Sequence, residues 1–160
     1  MSEKIRGFEV VVKEHRKVFT EENSVVIMPQ RGTKNAAGYD IFATQDLEIL
    51  PNAEAFFWTD VKAYMQDDEV FEIYPRSSLG IKRCLGIKNT VGIIDSDYYS
   101  NIKNDGNIGV FLWNFGDRTQ YIKMGEAVTQ GIFKKFLVAD NCNTDTVRTG
   151  GTGSTDKNKI

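Results

Sequence analysis

The sequence predicts an all-β fold, a jelly-roll or double-sheet β-barrel with a glycine-rich C-terminal arm. Its apolar segments are short and run continuously or with a period of two, turn residues separate them, and no stretch carries a long helical pattern. In chain order the candidate strands are residues 8–12, 25–28, 39–43, 47–50, 55–61, 70–74, 91–94, 108–113 and 127–138. The segment at 70–74 shows the logic: Phe71 and Ile73 share one face and Glu72 takes the other, as a half-buried antiparallel strand requires. Turn signals lie between strands at Pro51-Asn52, Asp67-Asp68, Asn104-Asp105-Gly106-Asn107 and Phe115-Gly116-Asp117, and Asp105-Gly106 predicts a tight hairpin. Residues 77–82 predict one short helix with a serine near its start. Residues 11–19 place Val11, His15, Val18 and Phe19 at helical spacing, and helix and strand both remain open there. From 143 to 160 the only aliphatic residues are Val147 and Ile160, too few to order a segment by burial. The chain therefore divides into one β domain, 1–142, and a mobile arm, 143–160.

The chain of 160 residues carries 20 basic and 22 acidic side chains, a net charge of −2. A domain of this size builds a core without disulfide or metal staples. Cys84 and Cys142 lie far apart with no CxxC partner, which fits a reducing compartment and excludes a structural zinc. His15, the single histidine, sits in the charged stretch 13–17, so Ser/His/Asp and Cys/His mechanisms are disfavoured. Hydrolytic chemistry then falls to carboxylates, hydroxyls, basic side chains and a recruited metal ion. Mild acidity argues against nucleic acid as a partner. The charged N-terminus and the lack of an apolar run of about 18 residues argue against a membrane and for a cytoplasmic location.

Five segments carry the chemistry. Pro75-Arg76-Ser77-Ser78-Leu79-Gly80 sets a planar cation and two hydroxyls at a helix start, a set suited to phosphate oxygens, although a capped helix with a surface arginine has the same letters. Asn89-Thr90-Val91-Gly92-Ile93-Ile94-Asp95-Ser96-Asp97-Tyr98 delivers two aspartates and a tyrosine from the end of an apolar strand; in extended geometry Asp95 and Asp97 face opposite sides, and a polar turn reads the same way. Ala37-Gly38-Tyr39-Asp40-Ile41-Phe42-Ala43 buries a carboxylate in an apolar strand, costly unless paired or near a metal-bound water. Gly125-Glu126-Ala127-Val128-Thr129-Gln130-Gly131 does something similar with the neutral amide of Gln130. Last comes Arg148-Thr149-Gly150-Gly151-Thr152-Gly153-Ser154-Thr155, which lacks the Gly-Lys-Ser/Thr and the strand-to-helix context of a Walker A loop.

In this order, from Ala37 to Thr155, the five segments resemble the trimeric dUTPase family. The resemblance implies a jelly-roll homotrimer with its active sites between subunits, the arm of one chain closing over a site formed by the others, and hydrolysis of dUTP to dUMP and pyrophosphate with Mg2+. By position, Asp95 matches the aspartate that activates water, and Tyr98 the tyrosine under the deoxyribose that leaves no room for a 2′-hydroxyl. Residues 89–95, Asn89 and Gly92 among them, match a hairpin whose backbone reads uracil. Arg76, Ser77 and Ser78 match the phosphate-binding motif. Asp40 and Gln130 match positions that hold the magnesium-triphosphate assembly, largely through water. Arg148, Gly151, Thr152, Gly153 and Ser154 match the arm.

The sequence also departs from the family pattern. Thr152 stands where an aromatic normally stacks on uracil, Arg148 sits two residues before the glycine pair where many members have three, Ser100 replaces a glycine, and Ala127 stands where an arginine is common. Residues 103–107 look like an added hairpin and are the candidate surface for a regulatory protein partner, as in some phage-type relatives. A dCTP deaminase of the same superfamily is the alternative activity, disfavoured because Phe111 occupies the position of its required glutamate.

Overall fold

The computed structural model describes residues 4–145, Arg148, Gly150 and Gly151. Its regular secondary structure is almost wholly strand: β1 (Gly7–Val10), β2 (Tyr39–Phe42), β3 (Leu47–Ile49), β4 (Glu54–Trp58), β5 (Val61–Tyr64), β6 (Glu69–Pro75), β7 (Leu85–Ile87), β8 (Gly92–Asp95), β9 (Gly109–Asn114), β10 (Gln120–Ile122) and β11 (Ala127–Lys135). One helix, α1 (Ser77–Arg83), follows β6, and 3-10 turns occupy Lys13–His15 and Ser96–Tyr98. The strands pair antiparallel in four groups, in the orders β2-β11-β6-β8, β4-β9-β7, β1-β5 and β10-β3. Side chains from all four enter a common core, among them Ile41, Phe71 and Val128 from the largest sheet, Phe57 and Leu112 from the second, Ala63 from β5, and Ile49 and Ile122 from the β10-β3 pair. That convergence of inward faces is the double-sheet architecture read from the strand pattern.

β6 follows its alternation, with Phe71 and Ile73 buried and Glu72 partly exposed. Three readings are corrected, and the open segment at 11–19 is resolved. Residues 55–61 are not one strand: the chain breaks after Trp58, and Asp60 takes φ 54°. Residues 25–28 pair with no strand; Val26 is buried in a side cluster with Phe19 and Val61, while Val25 is 83% exposed. Residues 11–19 form a single 3-10 turn and no longer helix. Asp105 and Gly106 both take positive φ, 58° and 81°, as a tight hairpin turn demands, yet β8 pairs with β6 and β9 with β4 and β7, so no hairpin joins the strands on either side. Among the described residues no helix is long and apolar enough to cross a membrane.

Candidate active site

Two clefts gather most of the described site residues, and they share no lining residue. The first has a volume of about 880 Å³ and lies where β7 and β8 diverge. These strands are joined through a turn at residues 89–91, but β7 belongs to the β4-β9-β7 sheet and β8 to the larger one. The segment 89–95 is therefore a corner between sheets and not a paired hairpin. Thr90 turns it with φ 65°, and the Val91 amide donates to the Asn89 carbonyl at 2.7 Å. Asn89, Gly92, Asp95, Tyr98 and Arg148 line this cleft together with the rings of Phe56, Trp58 and Phe111. Alternation along β4 and β9 sends those rings outward while Phe57, Val110 and Leu112 face the core.

Asp95 closes β8, and the chain then tightens into the 3-10 turn. Extended geometry stops at that point, so the expected opposition of Asp95 and Asp97 does not occur: Arg148 Nη2 pairs with Asp95 Oδ2 while Arg148 Nε donates to Asp97 Oδ1 at 2.8 Å. This arginine lies against carboxylates of its own chain, where the resemblance implies an arm reaching over other chains' residues. Burial pushes the Asp95 carboxyl above the ordinary aspartate value; Arg148 pulls it back, and neighbouring Asp97 adds to the rise. Tyr98 is held at its hydroxyl, which donates to the Asn107 carbonyl at 2.7 Å and accepts from Asn104 Nδ2 at 2.7 Å.

The second cleft, about 380 Å³, is lined by Asp40, Arg76, Ser77, Ser78 and Gln130, with Gly32, Thr33, Ala36 and Gly38. Asp40 on β2 and Gln130 on β11 are register partners, and Arg76 Nε sits 3.1 Å from Asp40 Oδ1. Gly38 permits this crowding, since a Cβ there would lie 2.6 Å from Gln130 Oε1. The helix predicted at 77–82 forms as α1 with Ser77 as its first residue, but its N-cap residue is Arg76 and it has no side-chain cap, so the capped start is not what forms.

Residues 24–156 match the dUTPase family model. The chain belongs to the dUTPase family. A deoxyuridine 5'-triphosphate nucleotidohydrolase of Lactococcus lactis is 44% identical over 154 residues, covering 95% of this chain and 98% of that protein. The crystal structure of a dUTPase from Streptococcus mutans is 41% identical with TM-score 0.71, over 84% of this chain and 99% of that one. A mutant dUTPase from phage phi11 of S. aureus, solved to reveal the coordination of a structural Mg(II) ion, shares the fold at 20% identity and TM-score 0.64, over 88% of this chain and 97% of that one.

The dUTPase motifs thus fall into two sets in one chain, with Asp95, Tyr98 and Arg148 in the first cleft and Asp40, Arg76, Ser77, Ser78 and Gln130 in the second. Gly151 lies beside Tyr98: a Cβ on it would be 3.6 Å from Tyr98 Cε2. Thr152, Gly153 and Ser154 lie outside the described residues. Among the described residues no three His, Cys, Asp or Glu side chains converge into a metal cage. Magnesium keeps most of its waters and needs only one or two carboxylates when it arrives on a polyphosphate, so Asp40 with Gln130 fits that donor set. Residues 103–107 turn inward as a loop: Asp105, Gly106 and Asn107 are buried, as is Asn101 before them, while Ile102 and Lys103 face out. Sequence reasoning missed the outward rings of Phe56 and Trp58, whose period-two placement on a strand was the available signal, and the supports of Tyr98, which had none.

Proposed function

We propose that the chain hydrolyses dUTP to dUMP and pyrophosphate, and that each complete site is assembled between subunits of a homotrimer. The observation that carries this reading is the division of the dUTPase motifs between two clefts with no common lining residue. A general base without the cation and hydroxyls that hold the leaving phosphates is half a site, and a neighbouring copy supplies the other half. The outer face of β9 supports such an assembly. Phe111 and Trp113 there, and Phe115 just past the strand end, are 41–48% exposed, and Phe111 also lines the Asp95 cleft, so a copy seated on this strip would close that cleft.

In this mechanism water attacks the α-phosphorus, its proton passes to the Asp95 carboxylate, and the bond to the β-phosphate oxygen breaks to release pyrophosphate. Half-burial makes Asp95 a stronger base than a solvated aspartate. Tyr98 underlies the deoxyribose, and backbone groups of residues 89–95 meet the uracil edge. Arg76 takes the leaving phosphates with Ser77 and Ser78. Asp40 and Gln130 would hold Mg2+ through its waters, and the bound ion neutralises charge on the triphosphate. Arg148, paired with Asp95 and Asp97, exchanges those carboxylates for the more highly charged triphosphate when substrate binds. Phe111 offers no carboxylate for deamination.

Incubation with dUTP, dCTP, dTTP and UTP, each with magnesium, should release pyrophosphate rapidly from dUTP alone. Subunit mixing tests the shared site. Asp95→Asn and Arg76→Ala proteins, each inactive, should regain activity when their subunits are exchanged, because a mixed trimer contains a site with both wild-type residues. No recovery in verified mixed trimers would place Asp95 and Arg76 of each site on one chain.

A further inference from the structure

We propose that Asn104 is a positioning residue for sugar discrimination, acting through the hydroxyl of Tyr98. This inference rests on the reading of Tyr98 as the surface beneath the deoxyribose. A steric filter discriminates only as well as its ring is held, because a displacement of a fraction of an ångström makes room for an extra hydroxyl. Tyr98 extends from a three-residue turn, and two polar contacts fix the outer end of its ring: its hydroxyl donates to the Asn107 carbonyl, and Asn104 Nδ2 donates to that hydroxyl, each at 2.7 Å. The hydroxyl's single proton is used on Asn107, so its remaining partner must be a donor, and Asn104 supplies one.

The orientation of the Asn104 amide is dictated by its other neighbours. Its Oδ1 accepts from the Gly106 amide at 3.1 Å and from Asn101 Nδ2 at 2.7 Å. Asn101 is oriented in turn, since its Oδ1 accepts from the amides of Lys103 and Asn104. Both side chains are therefore set by main-chain donors, leaving Asn104 Nδ2 aimed at the tyrosine. The pair also meets the arm, because a Cβ on Gly151 would lie 3.6 Å from both Asn104 Nδ2 and Tyr98 Cε2. The loop that reads in sequence as an added hairpin is in this structure the clamp on the ring.

The test is a double-mutant cycle on the full-length protein, read as the ratio of kcat/KM for dUTP to that for UTP. Asn104→Ala should lower the ratio roughly three- to tenfold, the range set by one net hydrogen bond. Tyr98→Phe, which keeps the ring and removes both contacts, should lower it at least as much, and adding Asn104→Ala to Tyr98→Phe should change it no further. Asn104→Ser, which retains a turn-forming side chain too short to reach the tyrosine, should match Asn104→Ala and covers the case in which the alanine variant does not fold. A ratio within twofold of the parent in the folded Asn104 variant, or effects that multiply in the cycle, would overturn the proposal. Tyr98→Ala separates the two ideas. If it relaxes the ratio while Asn104 variants do not, the positioning role alone fails; if it leaves the ratio unchanged, the reading of Tyr98 fails and the positioning role with it.

Discussion

Asp60 and Asp95 are both carboxylates taken from water, and they have opposite chemistry. Asp60 is fully buried, yet its oxygens accept from the amides of Lys17, Val18 and Phe19 at 2.7–2.8 Å and from Asn107 Nδ2 at 2.8 Å. Burial pushes its carboxyl upward, and the four donors overcome that and hold it below the ordinary aspartate value. Asp95 is only half-buried, with Arg148 as its charged partner and Asp97 beside it, and its carboxyl lies above that value. The N–H donors on a carboxylate, more than its depth, set the direction in which its proton affinity moves.

Exchanging the roles tests this difference most directly. Asp95→Asn should lower kcat by about 10²- to 10⁴-fold, because an amide cannot take the proton of water. Its melting temperature should not fall. Steady-state kinetics beside a thermal melt reads both, and activity within tenfold of the parent would end the case for Asp95 as base. Asp60→Ala should do the reverse. It strands the main-chain amides of Lys17, Val18 and Phe19 and the side-chain amide of Asn107, and should reduce unfolding free energy by roughly 3 kcal/mol or more in a urea titration. Its turnover per folded molecule should remain near the parent value.

Acid should separate the two carboxylates without any mutation. Asp60 and Asp105 both have lowered values; for Asp105, burial opposes the shift and Lys62 with the Val12 amide overcomes it. A lowered carboxyl contributes stability that is complete above its unfolded value, near 3.9, and is lost as pH falls through the folded value. Asp95 has the opposite sign, so the acid limb of kcat/KM should lie above the ordinary aspartate value. Activity should therefore be lost at a higher pH than thermal stability, and coincident loss would break the contrast. The smallest effect sharpens the same point: Arg148→Gln removes the one charge that lowers Asp95, so the acid limb should move to higher pH in the pH profile of kcat/KM.

Much of this molecule follows from local sequence. Strand β6 shows its alternation in Phe71, Glu72 and Ile73, and the helix at Ser77 and the corner bearing Asp95 and Tyr98 lie in segments short enough for their letters to identify. Local pattern also predicted a polar turn at Asp105 and Gly106, and both residues adopt positive φ there. What the turn joins was not local. Strands β5, β7 and β10 are not set apart by their local apolar pattern, and each exists because a partner strand completes its hydrogen bonds. Lys62 in β5 resembles a solvent-facing lysine, yet it is 5% exposed and bonded to Asp105, forty-three residues away.

The sequence by itself determined the all-β class, the dUTPase motifs and the residue types at the site, because periodicity and motif chemistry operate over spans of a few residues. Only the tertiary structure decided that those motifs fall into two clefts, that Asp95 and Asp97 share one arginine, and that Asn104 grips Tyr98. Each of those outcomes depends on where distant segments come together, and that is set by closing the sheets around a common core and satisfying every buried polar group at once.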